Sequence, residues 1–439
     1  MTTHTLLAEP SLERVDTIEI EQAMVTGARL FRERVERAYR DPRSRIVIDD
    51  AKSYFSGQLE RYDLIVSEPS NPWISGVGAL FSQEFYAFIG RHLTEDGLFV
   101  QWLQLYEIDD ALVGSMLAAL VPNFEDFAAY LANPADLLIV AKPRGRLGEP
   151  DFARVLASPV GAELARIRIE HPEQLALRQI ADARLLRAIE RLWSRPPNSD
   201  FWPILSLEAP RTRFLGVSAF NLAQLAYPDV DHRAVFDLPG APPAHVPLAA
   251  YAIYPGEEVV AIARRLVSRL LEESSEPAVF AQEGEALLLR SLAADCEALG
   301  RSFEQERFLE KLGLVGSFVA SQLPPDEAVP VFSEPRWLRC EPVPERIART
   351  LALLAALASR DPEAIRDRAR SWLQAELALP PERRDLRLEQ MAFVGLQFAH
   401  LALGEREAVA AEERELGPRV RADGHLGFLR ALVQAATEL

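Results

Sequence analysis

The chain has 439 residues, 49% hydrophobic and 26% charged, which is enough for two or three soluble globular domains. A net charge of -17 argues against non-specific nucleic-acid binding, which needs clustered lysine and arginine, and would attract a cationic substrate. Two cysteines, Cys296 and Cys340, are too few for a disulfide framework and lack metal spacing, and the seven histidines form no HExxH or Cys/His cluster; a reducing compartment is expected, and no metal site. No apolar run approaches the ~18 residues of a membrane span, and Met1 to Pro10 does not read as a signal peptide, so the chain by itself reads as cytoplasmic.

In chain order, Thr3 to Ala8 reads as the end of a helix and Arg14 to Ile20 as a short strand closing on an acid. Glu21 to Tyr39 carries a helical apolar stripe at Ala23, Met24, Ala28, Leu30, Phe31 and Val35. Strands follow at Arg45 to Ile48, Tyr62 to Ser67 and Gly97 to Leu103, alternating with helices at Lys52 to Leu59, Phe81 to Leu93 and Asp109 to Leu120. Phe124 to Leu131 and Asp136 to Ala141 make a terminal hairpin. This alternation predicts a mainly parallel, doubly wound α/β sheet over residues 1–145.

Residues 146–250 read as a helical extension, Glu149 to Trp193, and a proline-rich linker, Tyr227 to Pro247, in which His232 and His245 are loop residues. From 251 to 439 the period is helical throughout, with a proline cluster at Pro324 to Pro344 dividing two groups of helices. Helix pairs of this length predict an all-α, helical-hairpin or solenoid-like region, although no repeat of fixed period is present. Cys340, His400 and His425 there are read as packing or surface residues.

Chemistry concentrates in Tyr62 to Tyr86, YDLIVSEPSNPWISGVGALFSQEFY, a buried strand that ends in a polar loop before a helix restarts. Ligands of open α/β sheets sit beyond the carboxyl ends of strands, where Ser67, Glu68, Ser70 and Asn71 stand. Pro69 and Pro72 stiffen this loop, while Gly76 and Gly78 let it turn.

This loop, with IVIDDA (Ile46 to Ala51) and LTEDGLFVQWL (Leu93 to Leu103), resembles the spermidine synthase (polyamine aminopropyltransferase) family over about Thr2 to Pro143. A weaker echo lies at NSDFWPILSLEAPR (Asn198 to Arg211), resembling a late segment that returns to the catalytic domain. The resemblance implies a class I methyltransferase-like, Rossmann-like fold, a role in polyamine biosynthesis, and decarboxylated S-adenosylmethionine, or S-adenosylmethionine itself, as co-substrate with an amine acceptor. In dinucleotide-type folds the ribose-binding acid lies ~20 residues beyond the first glycine of the phosphate-side turn. Glu19 is that acid by position, and counting back lands just before Met1. The first strand and the Gly-rich turn are therefore expected to be missing from this chain, a truncation that would impair transfer.

By the same resemblance, Asp50 accepts from the adenine amino group, Asp49 is its neighbour at the strand end, Ala51 leaves room for a flat base, and Ser67 borders the nucleoside. Glu68 stands where the family has its catalytic aspartate, one methylene longer. Asn71 stands where the family has a second, diamine-holding aspartate, and its neutral amide surrenders most of the attraction to an ammonium, on the order of a few kcal/mol in a partly dry site. Ser70 and Trp73 complete the acceptor side, Trp73 either stacking on a cation or packing beneath the next helix. Gln101, Trp102 and Tyr106 follow the next strand and border the same crevice.

Two other classes stay open: an S-adenosylmethionine-dependent methyltransferase, and a non-catalytic helical scaffold with a dead Rossmann remnant. The helical half offers a surface to a protein partner, and a homodimer is admitted. Similar loops occur in longer proteins whose upstream part is transmembrane, which raises membrane attachment of an intact protein.

Overall fold

The computed structural model describes residues 1–233, 235, 236, 238, 255–271, 277–421 and 423–439. In chain order, α1 (Thr2–Leu6) leads to β1 (Val15–Glu19), and α2 (Gln22–Ala28) and α3 (Glu36–Arg40) lead to β2 (Ser44–Ile48). After α4 (Ala51–Ser56) come β3 (Tyr62–Ser67), α5 (Gln83–Ile89), β4 (Leu93–Gln104), α6 (Asp110–Leu120) and the hairpin β5 (Asp126–Asn133) and β6 (Asp136–Lys142). The helices α7 (Phe152–Ala157), α8 (Pro159–Ala165) and α9 (Pro172–Ala176) precede β7 (Gln179–Ala181), α10 (Ala183–Trp193), α11 (Ile204–Leu215) and α12 (Phe220–Gln224).

Side-chain caps punctuate the crossovers. Asp50 accepts from the Ser53 N–H to start α4, Ser82 from Phe85 to start α5, and Asp109 from Leu112 to start α6. Phe99, Leu103, Leu112 and Leu117 are buried where β4 and α6 contribute to the core.

β1 and β2 pair in parallel, with Glu19 opposite Ile48. β3 pairs in parallel with β4, Ser67 opposite Gln101, and the sheet continues antiparallel through β6, β5 and β7. The architecture is Rossmann-like with a mixed sheet, but it differs from one continuous sheet: β1–β2 and β3–β4–β6–β5–β7 are separate, and among the described residues neither β1 nor β3 has a strand partner on its second edge. Side chains span the break instead, the Tyr62 and Tyr54 hydroxyls both donating to Asp16 Oδ2, at 2.9 Å and 3.1 Å. Burial, with these hydrogen bonds, pushes the Tyr62 phenol upward.

Apolar side chains are left uncovered around the break. Ile20 is 69% exposed, Ile48 44% and Leu64 38%. The long helix expected over Glu21 to Tyr39 is interrupted at Arg32, whose φ is +52°, and Met24, Leu30 and Phe31 face solvent. An amphipathic stripe stabilises a helix only when there is an apolar surface to bury it against.

The carboxyl-terminal half consists of α13 (Pro255–Leu271), α14 (Gln282–Ala293), α15 (Cys296–Leu299), α16 (Ser302–Gln322), α17 (Pro325–Ser333), α18 (Glu345–Ser359), α19 (Pro362–Glu376), α20 (Leu386–Ala402), α21 (Arg406–Glu415) and α22 (Gly424–Thr437). Short helix α17 occupies part of the proline cluster, and α21 has no counterpart in the sequence reading. One hydrophobic core runs from the α/β region into this half, where the Trp193 ring of α10 lies 6.3 Å from that of Phe428 in α22.

The expected linker begins as something else. Val230, His232, Arg233, Val235 and Phe236 are buried, and the Asp231 side chain lies between Arg233 and Arg360, so this stretch is an inserted plug and not a solvated tether. Most of the remaining linker, with His245, lies outside the described residues. Cys296 and Cys340, read above as too few for a disulfide framework and as pointing to a reducing compartment, form a disulfide with S–S 2.12 Å. A sequence separation of 44 hides that pairing from sequence spacing. No helix among the described residues is long and apolar enough to cross a membrane.

Candidate active site

Parallel pairing of β1 with β2 brings two sets of acids together at adjoining strand ends. Glu19 accepts the Glu21 N–H at 2.9 Å, and its main-chain carbonyl accepts the Asp49 N–H at 3.2 Å. Asp49 accepts the Asp50 N–H at 2.8 Å, and Asp50 accepts the Ser53 N–H at 2.9 Å. Each carboxylate thus fixes its own turn with one oxygen, and a carboxylate has a second oxygen to offer a ligand. Ala51 opens α4 beside them.

At the end of β3, Ser67 is half-buried and Glu68 exposed, with Ser70 exposed and Asn71 half-buried beyond it. Gln101, opposite Ser67 on β4, is fully buried, and its amide donates to the carbonyls of Trp102 at 2.9 Å and Ser67 at 3.4 Å. Trp102 points away from the crevice, its indole N–H donating to Asp136 at 3.2 Å. Tyr106 points in. Its hydroxyl accepts the Asn71 side-chain N–H at 2.9 Å, and its ring meets that of Trp73 edge-on at 6.2 Å.

The loop is held by the segment that the sequence marked as a late return. Asn198 is buried and donates to the Gly78 carbonyl at 2.8 Å, while its side-chain oxygen accepts the Leu205 N–H at 3.1 Å. Its main chain adds a bond from the Gln83 N–H at 2.9 Å and one to the Ser115 carbonyl at 3.1 Å. Gly78 is closely packed here: a Cβ would stand 2.6 Å from Ser206 Oγ and 3.3 Å from the Ser206 nitrogen, so Ser206 would have to shift. Ser199 and the Asp200 N–H both donate to Glu84; burial alone would raise that carboxyl, but these bonds outweigh it and hold its pKa below the usual range. The Asp200 carboxylate pairs with Lys52 of α4 at 2.8 Å, which fixes the turn to the neighbouring crossover.

Sequence reasoning missed what α11 contributes. Glu107 has φ +54°, a left-handed conformation uncommon outside glycine, and the Thr212 hydroxyl donates to its carbonyl at 3.0 Å. Arg213 lies over the Trp73 ring, 5.0 Å from the centroid, with its Nε 3.6 Å from Glu107. Following the late segment two residues past Arg211 was the signal available for Arg213. Among the described residues no cluster of three His, Cys, Asp or Glu could hold a metal. A groove of about 560 Å³ between α17, α18 and α19, lined by residues such as Val343, Leu351 and Ala355, lies in the helical half, away from these acids.

Residues 1–134 match the model of the spermine/spermidine synthase domain. This amino-terminal region is similar to the spermine/spermidine synthase family. It is 28% identical over 128 residues to the polyamine aminopropyltransferase of Thermoanaerobacter sp. (strain X514), covering 29% of this chain and 46% of that protein. It is 28% identical over 124 residues to the enzyme of the same name from Buchnera aphidicola subsp. Schizaphis graminum, covering 28% and 43%. It is 34% identical over 104 residues to polyamine aminopropyltransferase 1 of Pseudomonas aeruginosa, covering 22% and 36%. The chain spans less than half the length of these relatives, and its helical half lies beyond the residues 1–134 that the family model matches.

Proposed function

We propose that the spermidine synthase-like domain carries out aminopropyl transfer from decarboxylated S-adenosylmethionine, or a related adenosyl sulfonium, to an amine. The observation that carries this reading is the gathering of two groups of polar side chains at strand carboxyl ends: Glu19, Asp49 and Asp50 after β1 and β2, and Ser67, Glu68 and Asn71 after β3. In this reading Glu19 takes the ribose diol, Asp50 the adenine amino group and Ala51 the face of the base, with Asp49 and Ser67 bordering the nucleoside. Ser70, Asn71 and Trp73 hold the acceptor.

Glu68 orients the attacking amine and takes its proton. The amine nitrogen bonds to the aminopropyl carbon as the carbon–sulfur bond breaks; the electron pair stays on sulfur, which leaves as the neutral thioether of methylthioadenosine. An exposed carboxylate at a loop tip suits that proton transfer because it exchanges readily with solvent afterwards.

The unpaired edges of β1 and β3 add a second element to the reading. We place the family's first strand, and the Gly-rich turn that follows it, between them, where one parallel strand would join the two sheets and cover Leu64 and Ile48. Neither methyl transfer from S-adenosylmethionine nor a purely scaffolding role draws support from the relatives. The deciding experiment is release of methylthioadenosine from decarboxylated S-adenosylmethionine with a panel of amines, using the longest in-frame form of the protein. Release from S-adenosylmethionine with a methylated product, or no nucleoside binding at all, would overturn the reading.

A further inference from the structure

We infer that the acceptor amine carries a carboxylate, rather than a second ammonium, at the end that reaches Trp73, and that Arg213 is the residue that selects it. This rests on the aminopropyl-transfer reading and adds the class of acceptor to it.

Three of the groups at that end of the loop do not suit a cation, and the fourth, the Glu107 carboxylate, already faces Arg213 at 3.6 Å. Asn71 is neutral, and one of its two side-chain N–H groups is given to Tyr106. Tyr106, having accepted that bond, keeps its own O–H to donate. The Arg213 guanidinium covers the Trp73 face, 5.0 Å from the centroid, which is where a substrate ammonium would lie to gain cation–π attraction. A second ammonium placed here meets a like charge and loses the ring.

An anion meets a guanidinium whose charge Glu107 offsets only in part. The contact of Arg213 with Glu107 is 3.6 Å and made through Nε, longer than a hydrogen bond, and no bond of its terminal nitrogens is seen among the described residues. Those terminal N–H groups form a planar fork that fits a carboxylate through two parallel bonds. The arginine is also positioned and not adrift: the preceding residue, Thr212, is buried and bonded to the Glu107 carbonyl, and Glu107 is locked in its left-handed conformation. Glu68 stays available for the reacting amine at the other end.

The test compares two probes with the same number of carbons, 4-aminobutyrate and putrescine, titrated calorimetrically into the full chain with and without methylthioadenosine. The expected result is 4-aminobutyrate binding at least tenfold tighter than putrescine. Arg213→Gln should bring the two within about threefold of each other, while Arg213→Lys, which keeps the charge but loses the fork, should retain most of the preference. The Arg213 side chain is 56% exposed, so neither variant should shift the thermal unfolding midpoint, and a check of that midpoint separates lost recognition from lost folding. Equal or tighter binding of putrescine, failure of either amine to bind, or a preference that survives Arg213→Gln would overturn the inference. Failure of methylthioadenosine to bind counts against the nucleoside reading above, and the nucleoside-free titrations still decide the role of Arg213.

Discussion

Asn71 donates one side-chain N–H to the Tyr106 hydroxyl at 2.9 Å, and its amide keeps a carbonyl oxygen and a second N–H to offer a ligand. A carbonyl can accept from an ammonium but brings no net charge to it. Asn71→Asp should therefore raise putrescine turnover by about tenfold to a hundredfold, the size of one recovered charge interaction of ~1.4 to 2.7 kcal/mol in the transition state. Steady-state methylthioadenosine release in the longest in-frame form of the protein reads this. Robust putrescine turnover by the unmodified protein would show that the amide is no barrier.

Glu68 is the carboxylate nearest in sequence to Asn71 and the only one in the loop. Glu68→Gln should abolish transfer in both the unmodified and Asn71→Asp backgrounds while leaving nucleoside binding intact. Transfer that survives it would assign the proton to another group.

Asp50 serves as the cap of α4, so its replacement by alanine would cost about 1 kcal/mol of helix stability in addition to any lost ligand bond. Asp50→Ser keeps a capping oxygen and removes the charge. Together with Glu19→Gln it should weaken methylthioadenosine binding by about tenfold or more, as expected when a hydrogen bond to a charged group is lost. Calorimetry showing unchanged affinity in both variants would remove these residues from the nucleoside site.

Two buried histidines predict an acid-sensitive fold. Burial, then the Arg233 guanidinium, pushes His232 down to about 3 against the pull of Asp231, and burial pushes His425 down to about 4 despite Asp229. The unfolded chain has histidines near 6.5, so below that pH it binds protons that the fold does not. The stabilisation is thus complete above about pH 6.5 and is lost as pH falls toward 4, at ~1.4 kcal/mol per pH unit per histidine. His425→Phe should flatten part of that decline between pH 6.5 and 5 in urea melts. An unchanged slope would mean that His425 protonates without unfolding.

The break between β1 and β3 predicts that a preceding strand is worth a great deal to this fold. An in-frame extension carrying a strand and a Gly-rich turn should raise the unfolding midpoint and protect the amides of both strands from hydrogen exchange. Exchange in β1 and β3 that does not change on adding such an extension would show that the slot is not a strand site.

The residue pattern alone specified the alternation of strands and helices, the polar loop after β3 and the acids closing β1 and β2, because each is a local property: a period of two or 3.6, a cap, a proline that stiffens a turn. Partners far apart in sequence were beyond its reach. That β1–β2 and β3 fall in separate sheets is a long-range outcome, and the apolar residues of Glu21 to Tyr39 read as a buried stripe although Leu30 is 83% exposed. The same holds for the plug at Val230 to Phe236, which looked like a tether from its prolines but is drawn inside by its apolar side chains and by the pairing of Asp231 with Arg360. At the site itself, Glu68 and Asn71 were legible in one loop. Arg213 became visible only when α11 folded back onto that loop, because a guanidinium over Trp73 is a contact across 140 residues of sequence, and nothing local in either segment requires it.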